Sequence, residues 1–265
     1  MLLVLHITAL AALVPAAILP WRWRADRPDL VYWSVLAVAV AGPLAATLAQ
    51  LGDGWSRGLG LALWLSISAS AAAFLFAAAF LPQAWRLAAL LLPYLIVVAL
   101  LATVWSFGHP GHDSIVLRAE TWLLVHIAIS VTTYALATLA AVAAAAVFIQ
   151  ERALKRKRQT PLTRRLPSVA DGERLQVALL ASAETVLGFG ILTGLAVTWV
   201  EGRGVPVDHK TLLSLLAFAV IGVLLFLQAR TGMRGQRSGR LVLLAYLLLT
   251  LAYPGVKFVT DVLIG

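Results

Sequence analysis

Residues 120–158 read ETWLLVHIAISVTTYALATLAAVAAAAVFIQERALKRKR. A histidine, His126, stands near the start of this stretch. An uncharged, alanine-rich run follows to Gln150, longer than the ~20 residues that a helix needs to cross a bilayer core. Arg152, Lys155, Arg156, Lys157 and Arg158 then close it. The stretch therefore predicts a membrane span, an ionisable group at membrane depth and a strongly positive end that orients the span.

The rest of the chain agrees with that reading. Of 265 residues, 61% are hydrophobic and 12% charged, against about 25% charged in an ordinary soluble domain. No polar segment is long enough to fold alone. The net charge of +9 does not point to nucleic acid, because the positive residues gather at span ends rather than on one face. There they set topology and meet anionic headgroups, so lipid is the expected partner. The absence of cysteine excludes disulfide exchange and thiolate ligation by this chain.

Eight spans fit, at about 2–19, 30–51, 59–80, 87–105, 121–150, 179–200, 209–229 and 241–264. A lone segment must satisfy its own backbone in lipid, so the spans are helices. The expected fold is an all-α polytopic membrane bundle, one domain over 1–265. Alternate loops hold Arg22, Arg24 and Arg27; Arg86; Arg152, Lys155, Arg156, Lys157, Arg158, Arg164, Arg165 and Arg174; and Arg230, Arg234, Arg237 and Arg240. The other loops hold Arg57, Arg118 and Arg203. Sixteen against three places both termini on the outer side of the membrane. The segment 151–174 becomes a basic cytoplasmic loop. The N-terminus lacks a positive n-region and reads as a retained first span.

Trp21, Trp23, Trp55, Trp85, Trp105 and Trp122 lie near span ends and read as an interfacial belt. Leu175, Val177, Leu179 and Leu180, with Glu173 and Arg174, predict a short amphipathic lead-in to the sixth span. Glu184 then falls near the inner boundary, where it can snorkel or pair with a loop arginine. No internal repeat supports an inverted-repeat transporter.

Ionisable groups inside spans are costly and count as functional candidates. They are His6, His126, Glu184, His209, Lys210, Lys257 and Asp261. Ser130 and Thr133 follow His126 on one helical face, which should turn inward. His126 reads either as an axial ligand to a haem iron or as a hydrogen-bonding partner of a neighbouring helix; these residues alone leave both open. Asp208 is a good N-cap for a helix opening at His209, whose position disfavours the imidazolium form. Lys210 suits a propionate or a lipid phosphate. Lys257 and Asp261, four apart, read as an intrahelical pair, with Pro254 and Gly255 predicting a kink. His6 reads as a packed histidine. His109 and His112, with Asp113, sit in an outer loop and give only a weak metal signal.

Three blocks resemble the integral-membrane cytochrome c assembly family, in the YpjD/HemX-like branch of the CcsA/CcmC superfamily. They are HIAISVTTYALATLAAVAAAAVFIQERALKRKR from His126, LGFGILTGLAVTW at 187–199, and DHKTLLSLLAF at 208–218 followed by AYPGVKFVTDVLIG. His126 matches the family's first outer histidine. The resemblance implies a non-enzymatic haem-handling protein of a bacterial inner membrane, its outer side the periplasm, connected with c-type cytochrome assembly or haem supply, with haem b as cofactor and cytochrome-biogenesis proteins as partners. It implies His126 as the iron ligand. Topology adds His209 as second ligand and Lys210 or Lys257 near the propionates. The superfamily's tryptophan-rich outer loop has no counterpart, since TWVEGRGVPVD between the sixth and seventh spans holds only Trp199. The other reading is a membrane partner or regulator of haem biosynthesis or of an ion transporter, acting through the basic loop.

Overall fold

The computed structural model describes residues 2–22, 27–52, 55–56, 58–108, 114–115, 121–200, 209–232, 235–255 and 258, with side chains at some segment ends left out, including 121–123, 197–200 and 209–210. Among the described residues, eight helices are long and apolar enough to cross a membrane. They are α1 (Leu2–Arg22), α2 (Leu30–Gly52), α3 (Leu59–Phe80), α4 (Ala88–Gly108), α5 (Thr121–Lys155), α6 (Val169–Val200), α7 (His209–Thr231) and α8 (Gln236–Thr250). The chain is thus an all-helical, multi-pass membrane protein. Among the described residues the strands are two of two residues each, β1 (Trp55–Ser56) and β2 (Ser114–Ile115), which pair antiparallel with Trp55 opposite Ile115.

Three boundaries differ from expectation, the simplest being α8, which opens at Gln236 rather than 241. The fifth helix does not stop at 150 but runs to Lys155, 35 residues in all, or about 52 Å, well beyond a ~30 Å hydrocarbon core. It ends where Lys157 takes a left-handed φ of 50°. The Lys157 amide then donates to the Leu154 carbonyl (3.0 Å) and the Arg158 amide to the Ala153 carbonyl (3.1 Å). This Schellman closure satisfies two carbonyls that the helix end leaves over. The sixth helix begins at Val169 rather than 179. Ser168 caps it, its Oγ accepting from the Asp171 amide (3.2 Å) and donating to Asp171 Oδ2 (2.7 Å). The expected amphipathic lead-in is therefore the first turns of α6 itself. Leu175, Leu179, Leu180 and also Gln176 are buried there, and the connecting loop shrinks to 156–168.

Two compact units form. The first comprises residues 1–117 with 153–167, the second 118–152 with 168–265. In the first, α1 and α2 meet closely at Gly42, where a Cβ would lie 2.6 Å from the Ala12 Cβ. The buried side chains of α3 recur at helical spacing, as Trp64, Ile67, Ala71 and Phe74. Asp29 caps α2 by accepting from the Tyr32 amide (3.0 Å), and Tyr32 Oη donates to the Trp85 carbonyl (3.2 Å) in a 3-10 turn, Ala84–Leu87, that leads into α4. Arg165 of the connecting loop donates to the carbonyls of Pro20 and Trp21 (2.8 Å to Trp21) and lies over the Trp21 ring. Arg165 thus caps the end of α1, where carbonyls are left without helical partners.

In the second unit α5 carries a close-packed alanine surface, with Ala135, Ala137, Ala140, Ala141, Ala143, Ala144 and Ala146 all buried. Its apolar window is 67% buried against 17% for α7, so α5 is enclosed while α7 shows most of its surface outward. Gly239 of α8 faces Ala144 of α5, and the Tyr134 and Tyr246 rings stack with centroids 5.6 Å apart. After Thr250 the expected kink takes the form of a π-helical turn, Leu251–Gly255, around Pro254. Proline supplies no N–H, so the ladder widens there instead of continuing.

Gly42→Val is expected to force α1 from α2 and to cost roughly 1–3 kcal/mol by overpacking. Thermal unfolding in detergent checks this: Gly42→Val lowers the Tm, whereas Gly58→Ala, whose Cβ would meet nothing within 4 Å, leaves it unchanged.

Candidate functional site

His126 lies in the second turn of α5, and α6 is shaped to receive it. Gly190 and Gly194, one turn apart, both face α5. A Cβ on Gly190 would lie 3.2 Å from Ile129 Cγ2, and one on Gly194 would lie 3.3 Å from His126 Cε1. Such small-x-x-x-small spacing lets helices approach without side chains between them. The approach brings Thr193 of α6 within hydrogen-bonding distance of the imidazole.

Two hydrogen bonds then decide the tautomer. Thr193 Oγ1 lies 3.1 Å from His126 Nδ1. The same hydroxyl donates to the Gly190 carbonyl at 3.0 Å. A hydroxyl has one proton, and a carbonyl can only accept. Both bonds therefore form together only when Nδ1 carries the proton and donates to Thr193. The lone pair is left on Nε2. That atom has no hydrogen-bond partner among the described residues and is not among the enclosed unpartnered atoms, on a ring that is only part-buried. The site presents a fixed, neutral imidazole with a free nitrogen. Metal-bound histidines are commonly held in this way, with the second ring nitrogen donating to a protein acceptor.

The polar stripe below His126 does not add ligands. Ser130 Oγ donates to the His126 carbonyl (2.8 Å), and Thr133 Oγ1 to the Ile129 carbonyl (3.0 Å). Their hydroxyls are spent on α5 itself. Deeper along the helix, Tyr134 Oη approaches Tyr246 Oη (3.1 Å) and Thr250 Oγ1 (3.4 Å), and the Tyr253 ring lies 5.8 Å from that of Tyr134.

His209 and Lys210 open α7; their side chains lie outside the described residues. Helix register still places their backbone. Gly188 faces Phe218 and Glu184 faces Gly222, so α6 and α7 run antiparallel and position 197 is level with 209. Thr193 and Gly194 are level with 212–213. The start of α7 is therefore about one turn, ~5 Å, beyond the level of His126, at the same end of the unit. Lys257, Asp261, Asp208, His109, His112 and Asp113 lie outside the described residues.

His6 is buried and stacks on Trp64, with ring centroids 5.0 Å apart. Its Nε2 and Trp64 Nε1 are both enclosed without a partner. Glu184 is not at a boundary. Because α6 starts ten residues earlier than expected, the carboxyl group falls near the middle of the span, with no ion-pair partner among the described residues. Among the described residues, no group of three or more His, Cys, Asp or Glu side chains could hold a metal ion. Sequence reasoning missed Thr193 and Gly194 as parts of the site. They stand in the stretch LGFGILTG, whose glycine spacing was the available signal.

The family model described as "Cytochrome C assembly protein" matches residues 55–264. A protein of Azospirillum brasilense, "Uncharacterized 28.8 kDa protein in nifR3-like 5'region", is 50% identical over 99% of this chain and 98% of its own length. "Protein HemX" of Brevibacillus brevis is 30% identical over 50% of this chain and 49% of its own. No solved structure matches.

The tautomer assignment is open to direct observation by 15N NMR of histidine-labelled protein. His126 is expected to show a protonated Nδ1 and a bare Nε2. In Thr193→Val, which removes the acceptor, the ring is expected to lose this preference, with a stability cost of about 1 kcal/mol.

Proposed function

This chain belongs to the cytochrome c assembly protein family, and from that premise we propose that it holds haem b through His126, at the outer face of a bacterial inner membrane. Family membership supports a role in c-type cytochrome biogenesis. The observation that carries the haem reading is the orientation of His126: Nδ1 donates to Thr193, and Nε2 keeps its lone pair unshared.

The residues present fit such a group. Haem iron needs one or two nitrogen ligands rather than a cluster of side chains. Gly194 leaves the space beside the imidazole free of a side chain. At the same level Leu124, Val125, Leu192, Leu195 and Leu212 are exposed and apolar, a surface suited to a porphyrin edge as well as to lipid. His209, opening α7 about one turn away, is the second ligand in this proposal. Lys210 and Lys257 are the cations for the propionates. The iron would supply axial-ligand and redox chemistry; the protein supplies binding, orientation and electrostatics.

What this chain's own residues do follows from the site. Thr193 holds the ring against rotation and keeps Nδ1 protonated, so Nε2 needs no proton loss to bind. The helix approach at Gly190 and Gly194 fixes the distance between ring and hydroxyl. The protein carries out no reaction of its own in this reading. It is an accessory component, served by cytochrome-biogenesis partners on the outer side, with both termini there and the basic segment 156–168 in the cytoplasm.

Two outcomes follow. Haem titrated into the purified protein is expected to give a b-type absorption spectrum that His126→Ala abolishes and Thr193→Val weakens by roughly 10–100-fold in affinity, as for other partners of ligating histidines. A protein that takes up no haem overturns the reading. For orientation, a cysteine placed at Gln159 in this cysteine-free chain should react with a membrane-impermeant maleimide in inverted vesicles and not in intact spheroplasts; the reverse pattern would reject the topology.

A further inference from the structure

Glu184 lies fifteen residues after Val169, the first residue of α6, or about 22 Å along the helix axis. The span it belongs to covers Val169–Ala196, so the carboxyl group is near its midpoint. Oε2 is enclosed and meets no hydrogen-bond partner among the described residues. Oε1 fills the place where α7 has Gly222, at which a Cβ would come within 3.1 Å of it. Glycine inside a helix costs about 1 kcal/mol relative to alanine. Here the missing side chain admits the carboxyl group between the two helices.

No cation among the described residues answers this acid. On α6, Glu184 is the only ionisable residue from Gln176 to Thr193, and α7 has none from Thr211 to Ala229. On α5 the ionisable side chains at depth are His126 and Tyr134. His126 is engaged with Thr193, nine residues or about 13 Å along α6 from Glu184. On α8 and the π-helical turn after it they are Arg237, Arg240, Tyr246 and Tyr253; the tyrosines group with Tyr134, and both arginines are exposed. Arg230, at the far end of α7, lies over the Phe226 ring.

A carboxylate enclosed in hydrocarbon without a counter-charge is strongly penalised. With no cation supplied among the described residues, the remaining way to remove the charge is to bind a proton. We propose that Glu184 is a proton-binding site inside the membrane, seated in the notch that Gly222 leaves in α7. One carboxylate oxygen forms an O–H bond with a proton taken from water, and the same bond breaks when the proton returns to water; no electron moves. The acid form becomes a hydrogen-bond donor as well as an acceptor. This site stands independently of whether His126 binds haem.

The experiment uses the full chain in lipid nanodiscs treated with dicyclohexylcarbodiimide, which reacts with protonated carboxyl groups in apolar surroundings, followed by peptide mass mapping. The expected result is an adduct on Glu184 at neutral pH that declines as pH rises. A water-soluble carbodiimide should modify the loop-end carboxylates and spare Glu184. Gly222→Ala, which fills the notch, is expected to change the labelling rate severalfold. The infrared difference spectrum between the native protein and Glu184→Gln should contain a carboxylic-acid C=O band that shifts in D2O. A Glu184 that stays unlabelled at neutral and acidic pH, or a difference spectrum with only carboxylate bands, overturns the proposal.

Discussion

Inside a bilayer there is no water to satisfy a polar group, so each donor and acceptor must find its partner within the protein. The helices of this chain obey that constraint in a consistent way. Thr47, Ser66, Thr103, Ser130, Thr133, Thr138 and Thr250 each donate to a carbonyl four residues back on their own helix. Ser66, Thr103, Ser130 and Thr133 are spent in this manner on their own helices, while Thr47, Thr138 and Thr250 also reach Ser68, Tyr246 and Tyr134 of a neighbouring helix. Against such a background, the polar atoms that remain unpartnered carry information. They include His126 Nε2, Glu184 Oε2, Gln228 Oε1, His6 Nε2 and Trp64 Nε1.

Thr193 is a hydroxyl of the second kind, and its partner on the other helix is an imidazole. It gives its proton three residues back to Gly190, and it still has lone pairs for another helix. Gly190 and Gly194 let α5 come close enough to use one of them. The result is an imidazole whose protonation and angle are set before anything binds. Preorganisation of this kind lowers the cost of ligation, since neither ring rotation nor proton loss remains to be paid for. His126 stands near the start of α5, clear of the helix's alanine-packed middle.

Much of the architecture was legible in the residues. Uncharged runs of spanning length, each closed by arginines or aromatics, marked eight helices in the right order. The errors were at ends and in partners. The Schellman closure puts Lys157 in the left-handed conformation that glycine usually takes, and nothing in KRKR announces it. The early start of α6 was legible in principle, because Ser168 and Asp171 have cap spacing; the charges of Glu173 and Arg174 masked it. That one boundary moved Glu184 from an expected interface to mid-span. His126 was visible as an ionisable residue on an apolar helix. Thr193 was not, because its role depends on the register between α5 and α6, and register is a property of packing rather than of either helix alone.

The central claim is that His126 presents Nε2, oriented by Thr193, to haem iron. It is tested most directly by pulsed electron paramagnetic resonance on the ferric, haem-loaded protein, with histidine labelled with 15N at Nε2 alone. The account predicts a strong 15N hyperfine coupling that disappears in His126→Ala and persists in His6→Ala. An unchanged coupling in His126→Ala, or a coupling from an unlabelled Nδ1 in its place, would contradict it.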